Sequence, residues 1–138
     1  GVLQPLLEAG PQQLVIANRT AEKARQLAFA FAGYGPVEAV GLDRLSGCHY
    51  DLVVNATSAS LSGEMPPLPD VLFAANALAY DMMYGDEPTV FMQWAEGHGA
   101  GQVSDGLGML VEQAAASFYL WNEIKPQTEE VIRLVRQM

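Results

Sequence analysis

The stretch Leu14–Ala24, LVIANRTAEKA, changes character at its centre. Leu14, Val15, Ile16 and Ala17 make a continuous apolar run suited to a buried strand. From Thr20 the pattern turns helical: TAEKARQLAFAFAG puts Ala24, Leu27, Ala28 and Phe31 on one face of a helix that Thr20 is placed to cap. A strand running straight into a helix is half of a strand–helix–strand unit, and such units build parallel sheets.

The rest of the chain repeats the alternation. VLQPLLEAG has Val2, Leu3, Leu6 and Leu7 at helical spacing and closes on Gly10-Pro11. VEAV is a short strand, and YDLVVNATS a second buried one, with Leu52, Val53 and Val54 suited to a parallel sheet covered on both faces. SASLSGEMPPLPD is a loop, because Pro66, Pro67 and Pro69 lack backbone donors. ALAYDMMYG reads as a strand and TVFMQWAEGHGA as a helix ending in glycines. GLGMLVEQAAASFYLW is the longest helix, with Ser104 or Asp105 as its cap and Leu107, Leu110, Val111, Ala114 and Phe118 on its core face. Beyond Pro126, TEEVIRLVRQM is amphipathic, and its Val131, Ile132, Leu134 and Val135 need a partner surface. The expected fold class is α/β, a doubly wound parallel sheet with helices on both faces.

With 138 residues, half of them hydrophobic and 17% charged, the chain is long enough for one domain with a core. A net charge of −9 opposes broad adhesion to nucleic acid or to an anionic membrane surface, so an anion has to be caught locally. Cys48 is the single cysteine, which excludes an intramolecular disulfide, favours a cytoplasmic setting and, given its apolar neighbours in sequence, suggests a buried, inert thiol. Cys48-His49 has no second ligand cluster, so no metal site is expected. His98 reads as a helix-end residue, Asp51 and Asp81 as backbone caps, and no carboxylate pair presents itself as acid and base. No apolar run approaches a membrane span, and the first residues lack the basic region of a secretion signal.

In sheets of this class ligands sit beyond the carboxyl ends of the strands. Three such ends carry polar or soft side chains here: Asn18, Arg19 and Thr20; Asn55, Ala56, Thr57 and Ser58; and Asp81, Met82, Met83 and Tyr84. In a dinucleotide site the first of these ends would face the adenosine ribose, where an acidic residue holds the free hydroxyls of NAD. Arg19 stands there instead and suits a 2′-phosphate, with Lys23 one turn on and the helix N–H groups behind it. A surface arginine beside a threonine cap is the alternative reading. On the long helix Gly106, Met109 and Gln113 form a stripe that suits a flat ring, a soft apolar contact and a hydroxylated ligand, or else a flank packed on a neighbour.

NRT, NATS, YDMMY and DGLGMLVEQAA, in this order and at these separations, resemble the C-terminal NADP-binding domain of the shikimate dehydrogenases over nearly the whole chain. The resemblance implies a Rossmann-like sheet and reversible reduction of 3-dehydroshikimate to shikimate with NADPH, in aromatic amino acid biosynthesis. It implies that Asn18, Arg19, Thr20 and Lys23 hold the adenosine 2′-phosphate region and that Asn55, Ala56, Thr57 and Ser58 line the dinucleotide. It further places Met82, Gly106 and Met109 in the nicotinamide pocket, and has Tyr84 and Gln113 reach the shikimate.

Two parts of that family pattern have no counterpart in the sequence. The catalytic Lys and Asp belong to a preceding substrate domain, so no catalytic residue is assigned, and the first strand with its glycine-rich turn is missing. The expectation is therefore a domain fragment over 1–138, inactive alone, whose helix over 124–138 leans toward the substrate domain. It also expects a gap between QLVIAN and YDLVVN, closed by more of the same protein or by dimerisation or swapping. A quinate/shikimate paralogue and a non-catalytic nucleotide-binding module are the alternatives.

Overall fold

The computed structural model describes residues 1–138. Its elements run α1 (Leu3–Glu8), β1 (Leu14–Asn18), α2 (Ala21–Phe31), β2 (Val37–Gly41), β3 (Tyr50–Asn55), β4 (Phe73–Asp81), α3 (Val90–Gly97), β5 (Gln102–Ser104), α4 (Leu107–Asn122) and α5 (Thr128–Gln137). Short 3-10 turns cover Ala32–Tyr34, Leu42–Arg44 and Ala59–Ser62. Every strand pairing is parallel, as the strand–helix alternation requires.

The five strands form two sheets, β1-β2 and β3-β4-β5, and the chain divides into two compact units. The first comprises residues 1–48 and 67–72, the second residues 49–66 and 73–138. Within its own sheet β1 pairs only with β2, and β3 only with β4, so each of these strands leaves one edge unpaired.

In the first unit β1 and β2 run in register from Leu14 opposite Val37 to Asn18 opposite Gly41, and α2 packs on both strands. Its buried apolar residues are Leu7, Ala24, Leu45 and Leu72. Ala24 carries the buried face of α2, whereas Leu27, expected there too, is exposed.

In the second unit β4 is the central strand. It pairs with β3 from Leu52 opposite Leu78 to Asn55 opposite Asp81, after a bulge that follows the pairing of Tyr50 with Phe73. At that bulge Asn76 takes a positive φ of 60°, and Gly101 passes so close that a Cβ there would lie 2.6 Å from the Asn76 Cα. Only a residue without a side chain allows this crossing. β5 was not anticipated: its three residues are too few to show a period, and Gly99 and Gly101 before it read as loop.

The core of this unit holds Phe73, Ala77, Ala79, Phe91, Ala95, Leu107 and Val111. Trp94 stacks on Phe91 with ring centroids 6.0 Å apart and meets Phe73 at 5.7 Å. Two expectations about burial need correction. Leu52 is 41% exposed, so β3 is not covered on both faces, and on α4 only Leu107 and Val111 of the expected core face are buried, Leu110, Ala114 and Phe118 being exposed. An apolar run shows what a residue would bury against, not whether that surface lies within this chain.

Phe91 is 1% exposed and the largest fully buried side chain. Phe91→Ala should lower the free energy of unfolding by about 3–5 kcal/mol, read as a lower midpoint in urea with an unchanged slope.

Candidate functional site

In the first unit the candidate residues gather where β1 gives way to α2. Asn18 ends the strand and its Oδ1 accepts from the Thr20 N–H at 2.8 Å, a side-chain turn that stops the strand and starts the helix. Thr20 holds the N-cap position, but its side chain makes no cap hydrogen bond, so the organising residue is Asn18 and the expected Thr20 cap is corrected. The first turn of α2 consequently keeps N–H groups without a side-chain acceptor. Arg19 and Lys23 are both exposed and neither is in an ion pair, while the acid of this turn, Glu22, pairs with Arg25 at 3.0 Å. Two exposed cations thus stand at the first turn of a helix whose start has no side-chain cap, in a protein of net charge −9.

The second unit is organised around Asp81. It has no exposed surface and no cation beside it, and its carboxylate is satisfied by hydrogen bonds alone. Oδ2 accepts from Thr89 Oγ1 at 2.7 Å, Ser60 Oγ at 2.8 Å and Asn55 Nδ2 at 3.4 Å, while Oδ1 accepts from the Met83 N–H at 3.0 Å. Thr89 also caps α3, its Oγ1 accepting from the Met92 N–H at 3.2 Å. One carboxylate therefore joins the end of β3, the loop after it, the loop after β4 and the start of α3.

Asn55 is buried and repeats what Asn18 does in the other unit: its Oδ1 accepts from Thr57 N–H at 3.2 Å and Thr57 Oγ1 at 2.8 Å. With its Nδ2 given to Ser60 and Asp81, the Asn55 side chain faces inward and shapes the turn, leaving Ala56, Thr57 and Ser58 as the exposed part.

Met82 and Gly106 meet directly. Gly106 donates its N–H to the Met83 carbonyl at 2.9 Å, and a Cβ on Gly106 would overlap the Met82 carbonyl oxygen and lie 2.7 Å from its carbon. The glycine is thus required first by the approach of the protein's own backbone, a different reason from the flat ring that the sequence suggested. Met109 and Gln113 follow on the exposed side of α4, and Tyr84 is exposed on the loop after β4. Met82, Gly106 and Met109 belong to one corner built from the β4 loop and the α4 start, whereas no contact ties Tyr84 or Gln113 to it.

The start of α4 is internally capped. Gly106 occupies the N-cap position without a side chain, and the Asp105 carboxylate, 5% exposed, accepts from the Leu107 N–H at 3.2 Å. Arg136 grips both Asp105 oxygens, at 2.6 and 3.1 Å. Burial pushes the Tyr80 phenol above its ordinary pKa, and the nearby Asp105 charge adds to this, while a hydrogen bond from the Met109 main chain works the other way.

The sequence reading did not single out Ser60, Thr89, Tyr80 or Arg136. Thr89 carried a signal, since it precedes an apolar helix at a cap position, but Arg136 lies 31 residues from Asp105 and no local pattern links them. His98 stands at the end of α3, as expected, with its ring stacked on Trp94 at 4.5 Å. Cys48 is exposed, which corrects the buried thiol expected from its neighbours. No three His, Cys, Asp or Glu side chains converge on a metal position, and no helix is long and apolar enough to cross a membrane.

Two family models match the chain: shikimate / quinate 5-dehydrogenase over residues 1–62, and the shikimate 5′-dehydrogenase C-terminal domain over residues 106–136. The shikimate dehydrogenase (NADP(+)) of Cellvibrio japonicus (strain Ueda107) is 59% identical over 137 residues, which is 99% of this chain and 50% of that protein. Among solved structures, an Ael1 enzyme from Pseudomonas putida matches with a TM-score of 0.87 at 45% identity, over 96% of this chain and 48% of that one. The shikimate 5-dehydrogenase of Thermus thermophilus, solved in complex with NADP(H) and shikimate, matches with a TM-score of 0.76 at 32% identity, again over 96% of this chain and 48% of that one. The chain spans about half the length of the relatives it matches.

Removing the Asp81 carboxylate strands several inward donors, so Asp81→Ala should cost about 3 kcal/mol or more in chemical denaturation. Asp81→Asn should cost less, because the Ser60 and Thr89 hydroxyls can turn to accept. The two glycines at the start of α4 should separate cleanly in the same assay. Gly106→Ala forces the Met82 loop aside at about 1–3 kcal/mol, whereas Gly108→Ala, with nothing within 4 Å of its Cβ, should be neutral or stabilising.

Proposed function

Because this chain belongs to the shikimate dehydrogenase family, we propose that it is the NADP-binding part of an enzyme that reversibly reduces 3-dehydroshikimate to shikimate. The observation that carries the reading is the β1–α2 junction: Arg19 and Lys23 exposed and outside any ion pair, at a helix start whose N–H groups have no side-chain acceptor. That donor set fits a ribose 2′-phosphate. It offers no carboxylate to the paired hydroxyls of NAD, since Asn18, Arg19 and Thr20 stand at the strand end.

NADPH, when bound, supplies the hydride. The chain's residues bind and orient: Arg19 and Lys23 neutralise the phosphate, Asn18 and Asn55 hold the two turns, and Ala56, Thr57 and Ser58 present the second turn's exposed face. Met82, Gly106 and Met109 offer a soft, nearly uncharged corner for the nicotinamide, and Tyr84 and Gln113 have exposed side chains free to meet a polyhydroxylated acid.

The half-exposed Val131, Leu134 and Val135 of α5 support packing of that helix toward a substrate-binding domain, and the open edges of β1 and β3 support pairing with a further strand, from the same polypeptide or a second copy. We read the setting as cytoplasmic, which the single unpaired cysteine favours.

Calorimetric titration of the complete enzyme with NADP⁺ and NAD⁺ tests the cofactor reading. NADP⁺ should bind more tightly, and Arg19→Ala should weaken NADP⁺ by about 10- to 100-fold while leaving NAD⁺ almost unchanged. Equal loss for both cofactors, or equal affinity before substitution, would overturn it.

A further inference from the structure

α5 buries none of its residues, and its side-chain hydrogen bonds to the rest of the chain come from Arg136 alone. That residue sits in the last turn of α5 and meets Asp105 as a fork: Nη2 donates to Oδ1 at 2.6 Å and Nη1 to Oδ2 at 3.1 Å. The same Oδ1 accepts from the Leu107 N–H at 3.2 Å, so the guanidinium and the first amide of α4 share one oxygen of an almost fully buried carboxylate. The neighbouring residue is Gly106, whose N–H is given to Met83 and whose Cα lies against the Met82 carbonyl. Arg136 thus fixes the carboxylate that fixes the turn packed on the β4 loop.

We propose that Arg136 is a positioning residue for the nicotinamide end of the cofactor: acting through Asp105, it holds Gly106 against the Met82 loop and so fixes the first turn of α4, which carries Met109. This rests on the NADP reading above. The start of α2, which takes the adenosine 2′-phosphate in that reading, lies in the other compact unit and shares no hydrogen bond with Arg136. Losing Arg136 therefore acts on one end of the dinucleotide and spares the other. Lysine replaces it poorly, because a single ammonium cannot span both oxygens in the plane of the carboxylate.

The test compares two ligands by calorimetry on the complete enzyme: NADP⁺, and adenosine 2′,5′-bisphosphate, which carries the phosphate end and lacks the nicotinamide. Arg136→Met should weaken NADP⁺ by about 3- to 30-fold, the range for residues that act through another, and leave the bisphosphate unchanged. Arg136→Lys should fall between. Asp105→Asn, which keeps an acceptor for Leu107 and loses the charge, should reproduce the Arg136→Met pattern and carries the comparison if that variant does not fold. Unchanged NADP⁺ affinity in these variants, or equal loss for both ligands, overturns the proposal and leaves the cofactor reading standing. A wild-type enzyme that binds neither ligand overturns the cofactor reading and the proposal with it.

Discussion

A carboxylate removed from water has to be satisfied by the protein, and at Asp81 this requirement organises a whole corner of the molecule. Hydroxyls from Ser60 and Thr89, an amide from Asn55 and the Met83 N–H converge on two oxygens without a compensating cation. The donors come from four different segments: the end of β3, a short 3-10 stretch, the loop after β4 and the start of α3. Their mutual placement is fixed because an unmade bond would leave a buried polar group unpaired. Without that constraint the corner of Met82 and Gly106 would have no rigid floor.

The two helix starts near the candidate residues are capped in opposite ways. At α2 no side chain caps the first turn and two cations are exposed, the donor set on which the proposed phosphate site rests. At α4 the protein spends its own carboxylate on the first turn and then neutralises that carboxylate with Arg136. An external anion therefore finds no unused donor at that turn's Leu107 amide. The division follows from which residue precedes each helix: Thr20 with an idle hydroxyl in one case, Asp105 in the other.

Periodicity made most elements legible. LVIAN passing into TAEKA, the proline-rich loop and the amphipathic tail all speak through patterns a few residues long, and they correspond to β1, α2, the stretch between β3 and β4, and α5. The motif residues were equally visible, because Arg19 in place of an acid is a local statement. What escaped was non-local or too short. β5 has three residues, the Asp105–Arg136 pair spans the length of two helices, and the inward role of Asn55 depends on where Ser60 and Asp81 arrive. Burial failed for a related reason: Leu52, Leu110 and Cys48 have apolar or apolar-flanked sequence, but accessibility belongs to the tertiary surroundings.

The order in which the chain visits its two compact units has a kinetic meaning. Residues 1–48 belong to the first, 49–66 to the second, 67–72 return to the first, and the remainder completes the second. Leu72, buried at 1% exposure, is therefore a core residue of the amino-terminal unit that arrives only after β3 has been made. The contacts of that unit are therefore incomplete in any chain that stops before residue 72. With parallel strands only, there is no hairpin to nucleate early, and each strand pair closes a long loop before it gains a contact. Each closure costs chain entropy before a contact offsets it, so such a chain folds more slowly than a helical bundle of the same length.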